Sequence, residues 1–277
     1  LFDGSYTFSK TSIPDKETAD KIITDLLPPF TVSAVDKKEI KRSPPPPYTT
    51  ASLQIDAGRR LGYGAKWIMQ LAQNLYEDGF ITYHRTDSVN MATKFLGTAK
   101  YFIEKTYGRE YSQYRTYATK SKLAQEAHEA IRPTDVTVRS SQFRPKDDQP
   151  LAGVGRNNLG PEHEKLYELI WKRAVASQMA QAVFDSTTIA IISANSYRFE
   201  TQGSVIKFDG YLKVTGYESE DVVLPDIKQG ETVNLNRVIP EQKSTNPPPR
   251  YTEASLIKAL EEDGIGRPST YAPTLVT

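Results

Sequence analysis

Residues 75–88 read Leu75-Tyr76-Glu77-Asp78-Gly79-Phe80-Ile81-Thr82-Tyr83-His84-Arg85-Thr86-Asp87-Ser88. The first half ends a helix. Trp67, Ile68, Leu71, Ala72, Leu75 and Tyr76 recur at the i, i+1, i+4, i+5, i+8, i+9 spacing of one helical face, which predicts a helix over 65–78. Gly79 supplies the left-handed residue that terminates it. Phe80 to Tyr83 are β-branched or aromatic and predict a short strand. Tyr83 therefore ends a strand anchored by a packed helix, the rigid support that precise chemistry requires. With 16 tyrosines in the chain, composition alone would assign any one of them to packing. The setting makes Tyr83 a candidate nucleophile for phosphodiester chemistry. Arg85, two residues on, is the candidate to hold charge developing on phosphoryl oxygens. Thr82, Asp87, Ser88, Gln73 and Tyr76 are the candidate supporting residues.

Working outward, helical patterns cover 15–27, 49–61, 89–107, 162–182 and 253–263, the last with Thr252 as N-cap and Gly264 as its stop. Period-two patterns predict strands at 30–35, 187–193, 197–201, 204–208, 211–214, 222–224 and 232–238. Residues 134–160 are rich in Asp, Pro, Gly and Asn and read as a long loop. Proline runs at 44–47 and 247–249 are stiff connectors. There is no internal repeat. The order of elements predicts an α+β, discontinuous fold, a helical block inserted between two halves of a strand-rich domain with another helical domain beginning at the end.

Bulk properties narrow the classes. The chain has 277 residues, 38% hydrophobic and 25% charged, as expected of a soluble globular protein. No apolar run approaches the ~20 residues of a membrane span. Net charge is +1, so a nucleic acid would be held by local patches such as Lys37, Lys38, Lys41 and Arg42, Arg59 with Arg60, or Arg109 with Arg115. With no cysteine there is neither a disulfide nor a thiolate zinc site, in keeping with a reducing compartment. His84, His128 and His163 show no metal-ligand spacing. Leu1 and Thr277 both look like cut ends, so an internal piece of a longer protein is expected.

Two further segments carry chemistry. Gln125 to Asp135 places His128, Glu126, Glu129 and Arg132 within a few residues. His128 there either bonds a phosphate or exchanges a proton, or the segment is a surface turn ending at Pro133. Asp263-Gly264-Ile265-Gly266-Arg267-Pro268-Ser269-Thr270-Tyr271 combines close-approach glycines with Arg267, Ser269 and Thr270 as phosphate binders, or is a helix stop followed by an ordinary turn. The Gly-Lys-Ser/Thr ending of a nucleotide-triphosphate loop is absent.

Together with 47–54, 127–133, 208–211 and 250–256, these segments resemble the type IA DNA topoisomerases, in family order over nearly the whole chain, and most closely the bacterial topoisomerase I branch. The Tyr-x-Arg-Thr-Asp-Ser and Gly-Ile-Gly-Arg-Pro-Ser-Thr-Tyr matches are highly specific. The resemblance implies that Tyr83 forms a 5′-phosphotyrosyl link, that Arg85 positions the scissile phosphate and that His128 contacts phosphate nearby. Arg132, Arg267, Ser269 and Thr270 are the implied DNA-binding residues. Residues 48–181 would be the helical gate domain, 1–47 with 182–245 the strand-rich hinge, and 246–277 the start of a DNA-binding helical domain. DNA, preferably single-stranded, is the implied partner, of a monomeric, cytoplasmic, nucleoid-associated enzyme. Mg²⁺ is the implied cofactor, its Asp-x-Asp-x-Glu ligands lying outside this chain, so the fragment alone is expected to be inactive.

The chemistry agrees with that implication. A phenol titrates near pH 10, so roughly one in a thousand is ionised at neutral pH, a deficit of about 4 kcal/mol. A nearby cation and an organised phosphate can offset that much. Arg suits the task better than Lys because its planar fork grips two oxygens. Transesterification stores the bond energy in the phosphotyrosine, so resealing needs no ATP. Two alternatives stand beside this one. A non-catalytic single-stranded-DNA-binding module would stack bases on Tyr111, Tyr114 and Tyr117. A tyrosine recombinase would need several spaced Arg and His residues around a C-terminal Tyr, which this order does not suit.

Overall fold

The computed structural model describes residues 7–8, 13–117, 129–143, 159–217 and 221–276. The chain forms two compact units, one from residues 1–42, 182–209 and 217–248, the other from 43–181, 210–216 and 249–277. Secondary structure is mixed helix and strand.

The first unit is an antiparallel sheet of order β1-β4-β3-β2-β5, with β1 at Thr7–Phe8, β2 at Phe30–Arg42, β3 at Ala182–Ile192, β4 at Arg198–Phe208 and β5 at Thr232–Val233. Helix α1, Lys16–Asp25, starts at Asp15, whose carboxylate accepts the Thr18 N–H at 2.7 Å. Phe30, Val32, Ile189 and Ile191 form the unit's buried centre. β2 continues well past the expected 30–35. Its outer half is charged and exposed on both faces, so hydropathy carries no signal there, yet the backbone pairs with β3 out to Arg42↔Ala182. The expected strands 197–201 and 204–208 are one strand. Gly203 is a close approach inside it and not a turn, because a Cβ there would lie 2.5 Å from the Val222 carbonyl oxygen. The expected strand 222–224 reduces to a single bridge, Ser204↔Val222, and 232–238 reduces to the two residues of β5.

The second unit is helical: α2 Thr50–Leu61, α3 Ala65–Glu77, α4 Thr93–Thr106, α5 Pro161–Ser177, α6 Leu212–Thr215, α7 Glu253–Glu262 and α8 Tyr271–Val276. Thr49 with Ser52, and Thr252 with Ser255, close capping boxes on α2 and α7. Leu53, Ile68, Leu71, Leu75, Leu166, Ile170 and Trp171 are almost wholly buried in its core. Three expectations fail for one reason, backbone groups claimed by another segment. The helix expected from 89 starts at Thr93, because Asn90 O accepts from Ala130 N and Ala92 N donates to Glu129. The helix expected to reach 182 stops at Ser177, because Gln178 O and Ala180 N bond to Gln113 and Tyr111. The expected strand 211–214 is the short helix α6, whose Tyr211 N donates to Ala180 O. Within the 134–160 loop, Val136 O and Val138 O accept from the Trp171 indole at 2.8 Å and the Tyr167 hydroxyl at 3.0 Å, tying the loop to α5.

Residues 249–276 pack on this helical body. Ile257, Tyr271 and Ala272 join Ala51, Ala65 and Met69 in a second buried cluster. The Glu253 carboxylate accepts the Ala65 N–H at 2.7 Å. It thereby caps α3, whose own N-cap is Gly64 and has no side chain to do so.

Candidate active site

The segment 80–88 is held from three sides. At its entrance Gly79, at φ +77°, turns the chain out of α3, with Gly79 N donating to Tyr76 O and Phe80 N to Leu75 O, both at 2.9 Å. That is a Schellman stop, sealed by the contact of Phe80 with the core around Leu75. The strand expected over 80–83 is one bridge, Ile81↔Pro133, beside Thr82 N to Arg132 O and Thr134 N to Phe80 O, each at 2.9 Å. The Thr82 hydroxyl donates to Ala130 O at 2.6 Å and accepts from Arg132 N at 3.0 Å. On the other side Thr50, the first residue of α2, donates its hydroxyl to His84 O at 2.8 Å and receives Thr86 N at 2.9 Å, while its own N–H donates to Thr86 O at 2.8 Å. Ser88 Oγ then accepts Asn90 N at 3.1 Å. Regularity is lost because these partners are side chains and short segments and not a neighbouring strand.

Side chains alternate along the segment. Tyr83 is 39% exposed and Arg85 is exposed, whereas His84 and Thr86 are fully buried. Arg85 has no hydrogen bond or ion pair to a described residue, so its five donors remain for a ligand. The Tyr83 ring meets the Tyr76 ring edge-on at 5.2 Å and 64° and the His84 ring at 5.2 Å and 66°. Tyr76 and His84 lie 6.0 Å apart, which closes a triangle of rings. Tyr76 is the next-to-last residue of α3, and Gln73, one turn before it on that helix, donates to Glu77 at 2.6 Å.

His84 is not among the sequence candidates. Neither of its ring nitrogens has a hydrogen-bond partner among the described residues although the side chain is buried. Burial first, and the Arg85 charge second, push the imidazole down to about 4 against the opposing pull of Glu77. It is therefore neutral at neutral pH. A buried polar group without a partner costs about 1–3 kcal/mol. Only the out-in-out-in alternation of Tyr83 to Thr86 hints at this placement.

Arg132, expected to bind DNA, is 8% exposed and has protein partners. Its Nε and one terminal nitrogen each reach Glu129 Oε2 at 2.6 Å, the other terminal nitrogen donates to Pro133 O at 2.9 Å, and the guanidinium lies 4.5 Å from the Phe95 ring centre. Burial by itself raises the Glu129 carboxyl, but the Arg132 hydrogen bond, Ala92 N–H and Arg132 charge together hold it below the usual glutamate range. No sequence pattern marks Glu129 as an organiser, since its two partners lie three residues ahead and at the start of α4.

Arg267, Ser269 and Thr270 are exposed. Thr270 Oγ1 accepts Arg267 N at 2.8 Å, which folds them into one turn before α8. Gly264 and Gly266, at φ +69° and +87°, shape the approach to it. Burial and Glu261 raise the neighbouring Tyr271 phenol, Arg267 lowers it, and Asp87 raises it further, so the Asp87 carboxylate is within electrostatic reach of this turn. His128 lies outside the described residues. Among the described residues no group of three His, Asp or Glu side chains is placed to hold a metal ion, and no helix is long and apolar enough to cross a membrane.

The helical scaffold thus presents an exposed tyrosine and an exposed arginine on one stitched loop, and a glycine-shaped turn carrying a second exposed arginine. A family model for DNA topoisomerases matches residues 3–277, and the chain belongs to that family. Within it, the chain is 43% identical over 263 residues to DNA topoisomerase 1 of Rickettsia felis, covering 89% of this chain and 32% of the relative. It is 42% identical over 252 residues to DNA topoisomerase 1 of Pseudomonas aeruginosa, covering 90% of this chain and 27% of the relative. The chain thus spans about a third of the length of these relatives. Its fold is similar to full-length topoisomerase I of Thermotoga maritima, with a TM-score of 0.78 and 33% identity, covering 98% of this chain and 43% of that one.

Proposed function

We propose that this chain is the gate and hinge portion of a type IA DNA topoisomerase that relaxes negatively supercoiled DNA without ATP. The observation that carries the reading is the exposed Tyr83 on its stitched loop beside the exposed, ligand-ready Arg85. The Tyr83 phenol oxygen attacks the phosphorus of one strand. The new bond is a 5′-phosphotyrosine and the bond to the neighbouring sugar breaks, leaving a 3′-hydroxyl. The phenol loses a proton and the leaving oxygen gains one. Arg85 holds the charge on the non-bridging oxygens. Religation is the reverse attack by the 3′-hydroxyl.

In this reading His128 contacts phosphate, and Arg267, Ser269 and Thr270 grip the backbone of a bound single strand. Arg132, engaged by Glu129, holds the loop from within. Residues 48–181 act as the moving gate, 1–47 with 182–245 as the hinge, and 246–277 as the start of the DNA-binding domain that faces the gate. The family implies Mg²⁺. In this reading its ligands lie outside this chain, and no step here runs through it. We place the whole enzyme in the cytoplasm, at the nucleoid, as a monomer. The pure binding-module reading draws less support. Tyr114 is 53% exposed, but Tyr117 donates its hydroxyl to Ser177 O and Tyr111 packs on the core, leaving one of the three rings well placed for stacking.

The test is relaxation of negatively supercoiled plasmid by the full-length protein, with Mg²⁺ and no ATP, comparing wild type with Tyr83→Phe. Relaxation lost in the variant supports the reading. Relaxation by both shows that the nucleophile lies elsewhere, and relaxation by neither favours the binding module.

A further inference from the structure

His84 stands between the proposed nucleophile and its arginine, yet its side chain turns the opposite way, into the protein. Simple packing does not account for it. Methionine or leucine would fill the same space without burying two nitrogens that meet no partner. The position is also tightly held, since the Thr50 hydroxyl fixes the His84 carbonyl at 2.8 Å from the first turn of α2. The ring is in contact with both aromatic neighbours, 5.2 Å from Tyr83 and 6.0 Å from Tyr76. The charged groups that bear on it, Arg85 and Glu77, act in opposite directions.

Building on the assignment of Tyr83 as nucleophile, we propose that His84 is a positioning residue for DNA cleavage: wedged with Tyr76 against the Tyr83 ring, the neutral imidazole fixes the torsion at which the phenol oxygen meets the phosphorus. It transfers no proton. Its effect is on the geometry of attack, so it acts on the rate of adduct formation and not on DNA affinity.

The experiment uses the full-length protein and a 3′-end-labelled single-stranded oligonucleotide, so that the label stays on the strand joined to Tyr83, with the covalent adduct trapped by denaturation. His84→Met keeps nearly the same volume and removes the nitrogens. The expected result is adduct formation slowed about threefold to tenfold, the size of an aromatic contact. Thermal stability is to be undiminished or raised, since the unmet nitrogens are gone. Non-covalent binding, read in a Tyr83→Phe background, stays unchanged, and the pH–rate profile from about pH 6 to 9 keeps its shape. Tyr76→Leu and the double variant form a cycle in which the losses are less than additive if both rings serve the same torsion. An unchanged rate overturns the proposal. So does a rate lost together with stability or DNA affinity, which marks a structural role, or a lost titration limb, which marks proton transfer. Additive losses in the cycle overturn it too. Absence of any adduct with wild type removes the nucleophile assignment itself and is told apart from these by the wild-type lane.

Discussion

Replacing Arg132 by Met separates a clasp from a DNA contact. In the structure the guanidinium makes two charge-assisted bonds to one Glu129 oxygen at 2.6 Å, one bond to Pro133 O at 2.9 Å and a cation–π contact at 4.5 Å to Phe95. Removing one partner of a buried pair costs about 3–5 kcal/mol. The Glu129 side chain is 35% exposed, so water takes over part of the loss, and about 2 kcal/mol remains for the pair. The orphaned carbonyl adds about 1 kcal/mol. Removing the cation from the Phe95 face adds about 0.5 kcal/mol, which Met packing on the same ring returns. The expected destabilisation is therefore about 3 kcal/mol, or a melting temperature lower by about 5 °C for a chain of this size. Calorimetry reads it directly, with Arg132→Lys, which keeps the charge and loses the fork, falling roughly halfway. Glu129 gives the pH sign. Its carboxyl is held below its ordinary value, so its contribution is present above that value and lost as pH falls through its lowered one, and the gap between wild type and variant closes in acid. The second measurement is the salt dependence of single-strand binding. If Arg132 held a phosphate, its removal would flatten the slope of log affinity against log salt by about 0.7. A clasp leaves the slope alone. A melting shift under about 2 °C together with a flattened slope would refute the argument and make Arg132 a phosphate ligand.

Glu253→Ala removes the cap of α3, the helix that carries Tyr76, and should lower stability by about 1–2 kcal/mol, with amide exchange accelerating at Ala65 to Ile68; Glu253→Gln keeps the acceptor and loses about half as much. Unchanged melting and exchange in both would show that the contact contributes nothing. Acid should also weaken the fold through His84. Its folded value of about 4 lies below the ordinary histidine value of 6.5, so the unfolded chain binds the proton first, stability is full above about pH 6.5, and it declines by about 2–4 kcal/mol as pH falls to 4. Urea midpoints measured across that range in wild type and His84→Met check this, since the variant should lack that part of the decline. Equal declines in the two would place the acid sensitivity elsewhere, for instance at His163, which burial lowers as well.

What is legible in the sequence shares one property: the signal and its physical cause lie within a few residues. Gly79 and Gly264 each stop a helix because the left-handed turn and its two closing bonds involve only the last turn of that helix and the two residues after it. Thr252 caps α7 through Ser255 for the same reason. The matching motifs around Tyr83 and Arg267 are local too, and they suffice to place the chain in its family. What is not legible is decided by partners distant in sequence. The start of α4 is set by Ala130 and Glu129, the end of α5 by Tyr111 and Gln113, and the exposed run of β2 by a strand some 150 residues on. The site divides along the same line. Tyr83 and Arg85 announce themselves by spacing. Thr50 bonds to that loop from α2, Glu129 holds Arg132 beside it, and His84 turns its ring inward against Tyr83; a pattern of residue types does not say which buried groups will be left without a partner. An unmet polar group is visible only after the fold is complete, which is why the arrangement behind the tyrosine has to be read from structure while the tyrosine itself does not.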